Sequence, residues 1–222
     1  MKLSYRRPRQ PFVVFEAFAA LMIAWAIVSP QLGSRPADEW IKTLDGPQRV
    51  ATMKIPEIVA ALKLQPGQTV ADIGAGSGLF EVPLAKAVGP KGKVYAVEID
   101  AGFFPEIQRR AADGQVTNVE TILGKFTDPA LPRKDIDIAF FNDVIHHIEG
   151  RPAYLKTLAG YLAPTGRVAV VDFEAGKGPH PTAPELEVSR EQLVGWMKDA
   201  GLSQVDDIKL FDDRYFLIFA KR

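Results

Sequence analysis

Three glycines stand at alternate positions in Val70-Ala71-Asp72-Ile73-Gly74-Ala75-Gly76-Ser77-Gly78, between a short apolar run and a helix-like segment. Glycine at a strand-to-helix turn reaches backbone angles closed to other residues and lets a ligand approach the main chain. Glu98 ends the next apolar run, 20 residues beyond Gly78. A carboxylate there can accept hydrogen bonds from both hydroxyls of a ribose. The pattern therefore suits a ligand that carries a nucleoside. The dinucleotide fingerprint G-x-G-x-x-G would need its third glycine at position 79, which is Leu79. The spacing found is G-x-G-x-G with Asp72 two residues ahead, which argues against a nicotinamide dehydrogenase.

A second group of polar residues follows another apolar run, IDIAFF at 136–141. Asn142 and Asp143 fall at the carboxyl end of that strand, the edge where open α/β sheets bind ligands, and both are expected to line the site. Helix capping by Asp143 is the structural alternative. His146 and His147 diverge on any regular backbone, so one of them, His147, is expected to face the substrate as a general base or orienting group, with Asp143 as its catalytic companion. Asp172, at the end of the strand RVAVVDF (167–173), is a comparable candidate. His180 sits in the Pro/Gly-rich stretch GKGPHPTAPE and reads as a solvated loop over the pocket. The pairs Phe103-Phe104 and Phe140-Phe141 read as core. The chain has no cysteine, which removes disulfides, thiolate zinc sites and cysteine nucleophiles. Three histidines leave little material for a histidine-rich metal site, and no metal is expected.

The elements that must hold these residues alternate. A helix is expected from Pro56 to Leu64, then a strand at 69–74, a helix at 79–88, a strand at 93–99, a helix at 103–112 and strands at 119–123 and 136–141. A helix around Ala153–Leu162, a strand at 167–173 and a helix at 188–201, capped by Ser189 and closed by Gly201, come next. Strand-like runs at Val205–Leu210 and Tyr215–Ala220 finish the chain. Alternating strands and helices, with several strands continuously apolar, indicate a parallel sheet covered on both faces. The helix-free link between the last two strands predicts an antiparallel final strand. The fold class is thus α/β, a doubly wound, Rossmann-like seven-stranded sheet preceded by an N-terminal hydrophobic helix.

This combination resembles the class I S-adenosylmethionine-dependent methyltransferases over roughly residues 50–222, in its small-molecule branch, which includes the ubiquinone- and menaquinone-pathway enzymes. The resemblance implies S-adenosylmethionine as cofactor. Asp72, Gly74, Ala75, Gly76, Ser77 and Gly78 would cradle its methionine end, Glu98 would hold its ribose and Ile99 would pack near its adenine. Where the family often has Gly-Asp after the third strand, this chain has Gly124-Lys125, so an acid contact near the adenine would come from Asp128. Asn142 is placed with the cofactor-binding residues. The implied activity is methyl transfer to a small, hydrophobic acceptor. The alternatives are methylation of a protein side chain and a non-catalytic protein that keeps the cofactor fold.

The chain is 222 residues long, with 47% hydrophobic and 24% charged residues, an ordinary globular composition. Its first 30 residues carry a net charge of +3 and the rest −3. A mildly acidic body lacks the basic footprint of a nucleic-acid binder, so a small-molecule partner is expected instead. Residues 12–29 are apolar except for Glu16 and Ser29. As a helix they would span about 27 Å, near the thickness of a bilayer's hydrocarbon core. Residues 1–30 therefore read as an uncleaved membrane anchor or as an export signal cleaved near Ala24-Trp25-Ala26, with a cytoplasmic protein bearing a soluble helix as the third reading. Residues 31–54 read as a linker with a short helix near Asp38–Leu44, and 55–222 as the catalytic domain.

Overall fold

A computed structural model describes residues 35–221. The hydrophobic segment 12–29 lies outside the described residues, and among those described no helix is long and apolar enough to cross a membrane.

Seven strands form one sheet: β1 (Thr69–Ile73), β2 (Lys93–Glu98), β3 (Val119–Leu123), β4 (Ile136–Asn142), β5 (Leu162–Phe173), β6 (Leu202–Asp207) and β7 (Arg214–Lys221), in the spatial order β3-β2-β1-β4-β5-β7-β6. The first five pair in parallel, and β7 runs antiparallel between β5 and β6. The antiparallel final strand follows from the short turn after β6, which reverses the chain without a crossover helix.

Alternate residues of the central strands feed two cores. Ala71, Ile73, Ala139, Phe141, Val168, Val170, Leu217 and Phe219 point to one face, where α6 (Arg151–Ala159) and α7 (Arg190–Asp199) cover them. Val70, Ile138, Phe140, Ala169, Val171, Phe216 and Ile218 point to the other, beneath α3 (Ile55–Ala61) and α4 (Glu81–Val88). Burial on both faces is why these strands read as unbroken apolar runs. Ser189 caps α7 in a reciprocal capping box with Gln192, and Gly201 follows with φ +79°. β6 begins directly after that glycine, a few residues earlier than its apolar run suggests, because Leu202 already pairs with Lys221.

The short helix expected near Asp38–Leu44 is present, and the rest of the segment read as a linker adds a second one. α1 (Ala37–Leu44) and α2 (Pro47–Thr52) precede α3. Ala37, Trp40, Ile41 and Leu44 of α1 join Ala96, Phe103 and Ile107 in a third, smaller apolar cluster beside α5 (Phe104–Asp113). Their i, i+3, i+4, i+7 spacing is an amphipathic helical signal, within a stretch that otherwise looks like turns.

Candidate active site at the switch point of the sheet

From β1 the chain goes one way along the sheet to β2 and β3, and from β4 the other way. The crevice at the carboxyl ends of β1 and β4 is thus the topological switch point, where such sheets bind ligands. The loop after β1 holds Gly74, Gly76 and Gly78 at φ +73°, +56° and +85°. Side chains would strain here, and at Gly74 one has no room: a Cβ would lie 2.3 Å from Cγ2 of Val144, on the loop after β4. The two loops that form the crevice therefore touch through a glycine.

Glu98 is bound into this loop. Its Oε1 accepts the Gly76 N–H at 2.7 Å and its Oε2 the Ile99 N–H at 3.0 Å. Burial raises its pKa, opposed by these two donors. A carboxylate oxygen has a second acceptor site, so Glu98 keeps capacity for ligand hydroxyls. Beneath the loop lie two further acids. Asp72 is 3% exposed and Glu81, in the first turn of α4, fully buried. No donor from outside this pair of acids reaches Asp72 Oδ2 or either oxygen of Glu81. Burial and then repulsion from Glu81 raise Asp72 well above the carboxylate range. Burial pushes Glu81 up to about 7. Such a pair retains a proton, held as a hydrogen bond between the two acids.

The α1–α2 segment closes the loop from outside. Ser77 donates to Asp45 Oδ1 at 2.7 Å, Arg110 of α5 holds Asp45 Oδ2, and Leu44 covers Gly76. Arg49 of α2 reaches across to Asp143 Oδ2 at 3.4 Å.

Asp143, in the left-handed region at φ +53°, is held on its other oxygen by Arg214 at 3.0 Å. Both carboxylate oxygens are thus occupied by guanidinium groups, a role the sequence did not suggest because the partners come from α2 and β7. Asn142 ends β4 within the same crevice, half-buried. Ile99 follows Glu98 at the mouth of the loop, half-buried. Asp128 uses Oδ1 to accept from the Ala130 N–H at 2.7 Å and the Tyr161 hydroxyl at 2.9 Å, so it organises the turn after β3.

The histidines differ most from expectation. A 3-10 turn at Ile145–His147, rather than a regular helix or strand, brings both rings to the same side, with centroids 4.1 Å apart. His180 joins them from the Pro/Gly-rich loop, 5.6 Å from the His146 centroid and 5.2 Å from that of His147. Asp172 grips His146 Nδ1 at 2.7 Å and also accepts the His146 backbone N–H. With Nδ1–H donating to Asp172, His146 presents Nε2 as an acceptor, buried and without a partner. Burial, then the neighbouring His146 and His180 rings, push His147 down to about 3, so it is neutral at physiological pH. His146, His180, Phe173, Leu186 and Val188 line an open groove beside the crevice.

Residues 70–166 match the family model described as a methyltransferase domain. The chain is 28% identical over 177 residues to an arsenite methyltransferase of Halobacterium salinarum, covering 80% of this chain and 44% of that protein. It is 30% identical over 162 residues to phosphoethanolamine N-methyltransferase 1 of Arabidopsis thaliana, covering 67% and 31%. The chain thus spans less than half the length of either relative. Its fold matches a crystal structure of an S-adenosylmethionine-dependent methyltransferase from Aquifex aeolicus with a TM-score of 0.74, at 24% identity and over 83% of this chain and 97% of that one. Residues 70–166 thus match a methyltransferase domain, and the described residues share the fold of the Aquifex aeolicus methyltransferase.

Proposed function

We propose that this protein transfers a methyl group from S-adenosylmethionine to a small acceptor bound in the groove beside His146. The observation that carries the reading is Asp72: a buried acid whose facing side-chain partner is another buried acid, Glu81, under a left-handed glycine loop and beside a carboxylate poised for ribose hydroxyls. Two buried acids packed together are costly, a nearby cation offsets that cost, and S-adenosylmethionine carries both a sulfonium and an ammonium group. Gly74 to Gly78, Asp72 and Glu98 would hold the cofactor, which supplies an electrophilic methyl group on a sulfonium.

The protein's remaining task is to position a nucleophile about 3 Å from that carbon and to exclude water. The Asp172–His146 pair is suited to orient the acceptor: Asp172 fixes the tautomer, and Nε2 accepts from an acceptor hydroxyl or amine. This moves the orienting role from His147 to its neighbour. Asp143 is a positioning residue, since the two guanidinium groups on its oxygens favour its charged form and make it a poor base. Both relatives quoted above are named for small acceptors, an oxyanion of arsenic and an amino alcohol phosphate, which supports a small acceptor here. The apolar wall of Phe173, Leu186 and Val188 favours an acceptor with a hydrophobic part. Calorimetric titration of the full chain with S-adenosylmethionine and S-adenosylhomocysteine tests the reading. Micromolar binding, lost in Asp72→Asn and weakened in Glu98→Gln with unchanged circular dichroism, is expected. A folded protein that binds neither nucleotide overturns it.

A further inference from the structure

We propose that His146, His147 and His180 form a binding site for a divalent transition-metal cation of the Zn²⁺ type. One ring nitrogen from each residue lies within 4.8 Å of the other two, and they come from two different loops at the carboxyl edge of the sheet. Two of the nitrogens, His146 Nε2 and His147 Nδ1, are buried and have no hydrogen-bond partner. Buried ring nitrogens without partners are costly to desolvate, and a cation shared by the cluster removes that cost.

The surrounding groups match what such a site needs. A metal-ligating histidine characteristically donates its second N–H to a carboxylate, which fixes its orientation and raises its basicity. Asp172 does this for His146, at 2.7 Å and 3.0 Å from its two oxygens to Nδ1. His180 is flanked by Pro179 and Pro181, whose rings restrict the backbone on either side of it. Its loop is tied down as well: Lys177 donates to the Asp212 carbonyl at 2.6 Å, and Arg190 to Glu174 Oε1 at 2.8 Å. A tetrahedral cation about 2.0–2.1 Å from each nitrogen requires them roughly 3.3 Å apart, so the 4.8 Å cluster must contract by about 1.5 Å, within reach of ring rotation at the half-buried His147 and His180. Three neutral nitrogen ligands select a borderline metal over Mg²⁺ or Ca²⁺, which demand oxygen. Three protein ligands also leave one position open, the pattern of a catalytic rather than a structural zinc site.

The existence of the site does not depend on the proposed methyl transfer, but its use does. With a cation bound, His146 Nε2 is a ligand, and the positive charge next to the groove lowers the pKa of a hydroxyl acceptor instead.

Equilibrium dialysis of the full chain against Zn²⁺, read by elemental analysis, together with visible absorption of the Co²⁺ form, tests the inference. One Zn²⁺ per chain and the intense bands of four-coordinate Co²⁺ are expected. His180→Ala and His147→Ala, which alter half-buried residues, should each abolish the Co²⁺ bands. Asp172→Asn should weaken Zn²⁺ binding about 10–100-fold while circular dichroism is unchanged. Lack of Zn²⁺ binding by the folded wild type, or equal binding by a His147→Ala/His180→Ala double variant, overturns the proposal. Titration of the same samples with S-adenosylmethionine separates the two readings. Nucleotide binding without metal removes only the metal site, and metal binding without nucleotide removes only the methyltransferase activity.

Discussion

Glu81 offers the sharpest stability prediction. Its side chain is fully buried, with Glu98 on β2 as a like charge, while a hydrogen bond with Asp72 on β1 and the facing cation Arg110 on α5 oppose the effect of burial. Burial pushes it from 4.5 up to about 7. Between those two values the native state keeps a proton that the unfolded chain has released, so stability falls as pH climbs through the window. A shift of about 2.5 pKa units at about 1.4 kcal/mol per unit gives a penalty of about 3 kcal/mol above pH 7. Glu81→Gln removes the charge and keeps the shape. The variant should therefore melt about 6–12 °C higher than wild type at pH 8, at roughly 2–4 °C per kcal/mol for a domain of this size. Below about pH 4.5 both side chains are neutral in both states, and the difference should vanish. Thermal unfolding of both proteins, followed by circular dichroism from pH 4 to pH 8.5, measures this directly. A difference independent of pH, or a wild type more stable than the variant at pH 8, would refute the reasoning, because the carboxyl would then be solvated or paired.

Gly74→Ala combines a left-handed φ of +73° with a Cβ 2.3 Å from Val144, so it should cost about 2–5 kcal/mol in urea unfolding and abolish nucleotide binding, whereas a loss below about 1 kcal/mol would mean that the two loops separate freely. Arg214→Ala leaves the buried Asp143 with only the longer contact to Arg49; a loss of about 3–5 kcal/mol is expected by chemical denaturation, and a variant within about 0.5 kcal/mol of wild type would show that the ion pair is solvent-screened.

Short-range pattern in the sequence determined the sheet and the glycine loop. The apolar runs at 69–74, 93–99 and 136–141 became β1, β2 and β4, and the G-x-G-x-G spacing with Asp72 and Glu98 marked the switch-point crevice, because turn geometry and strand ends are properties of a few adjacent residues. Ser189 and Gly201 bounded α7 for the same reason. What the sequence could not supply were the contacts made across long separations. Glu81 reads as an acid favourably placed in the first turn of a helix, and only the packing of α4 beneath the glycine loop buries it against Asp72. Asp143 receives its guanidinium partners from 94 residues upstream and 71 downstream. The short helix near Asp38–Leu44 was legible, whereas the stretch 45–52 looked like a linker because few of its residues are apolar. His146 and His147 looked divergent because regular backbone geometry was assumed; the 3-10 turn turns them together, and the loop after β5 delivers His180 to them. Local chemistry chose the elements, and topology decided which side chains meet, since the chain order of β4, β5 and β7 alone brings residues far apart in sequence to one edge of the sheet.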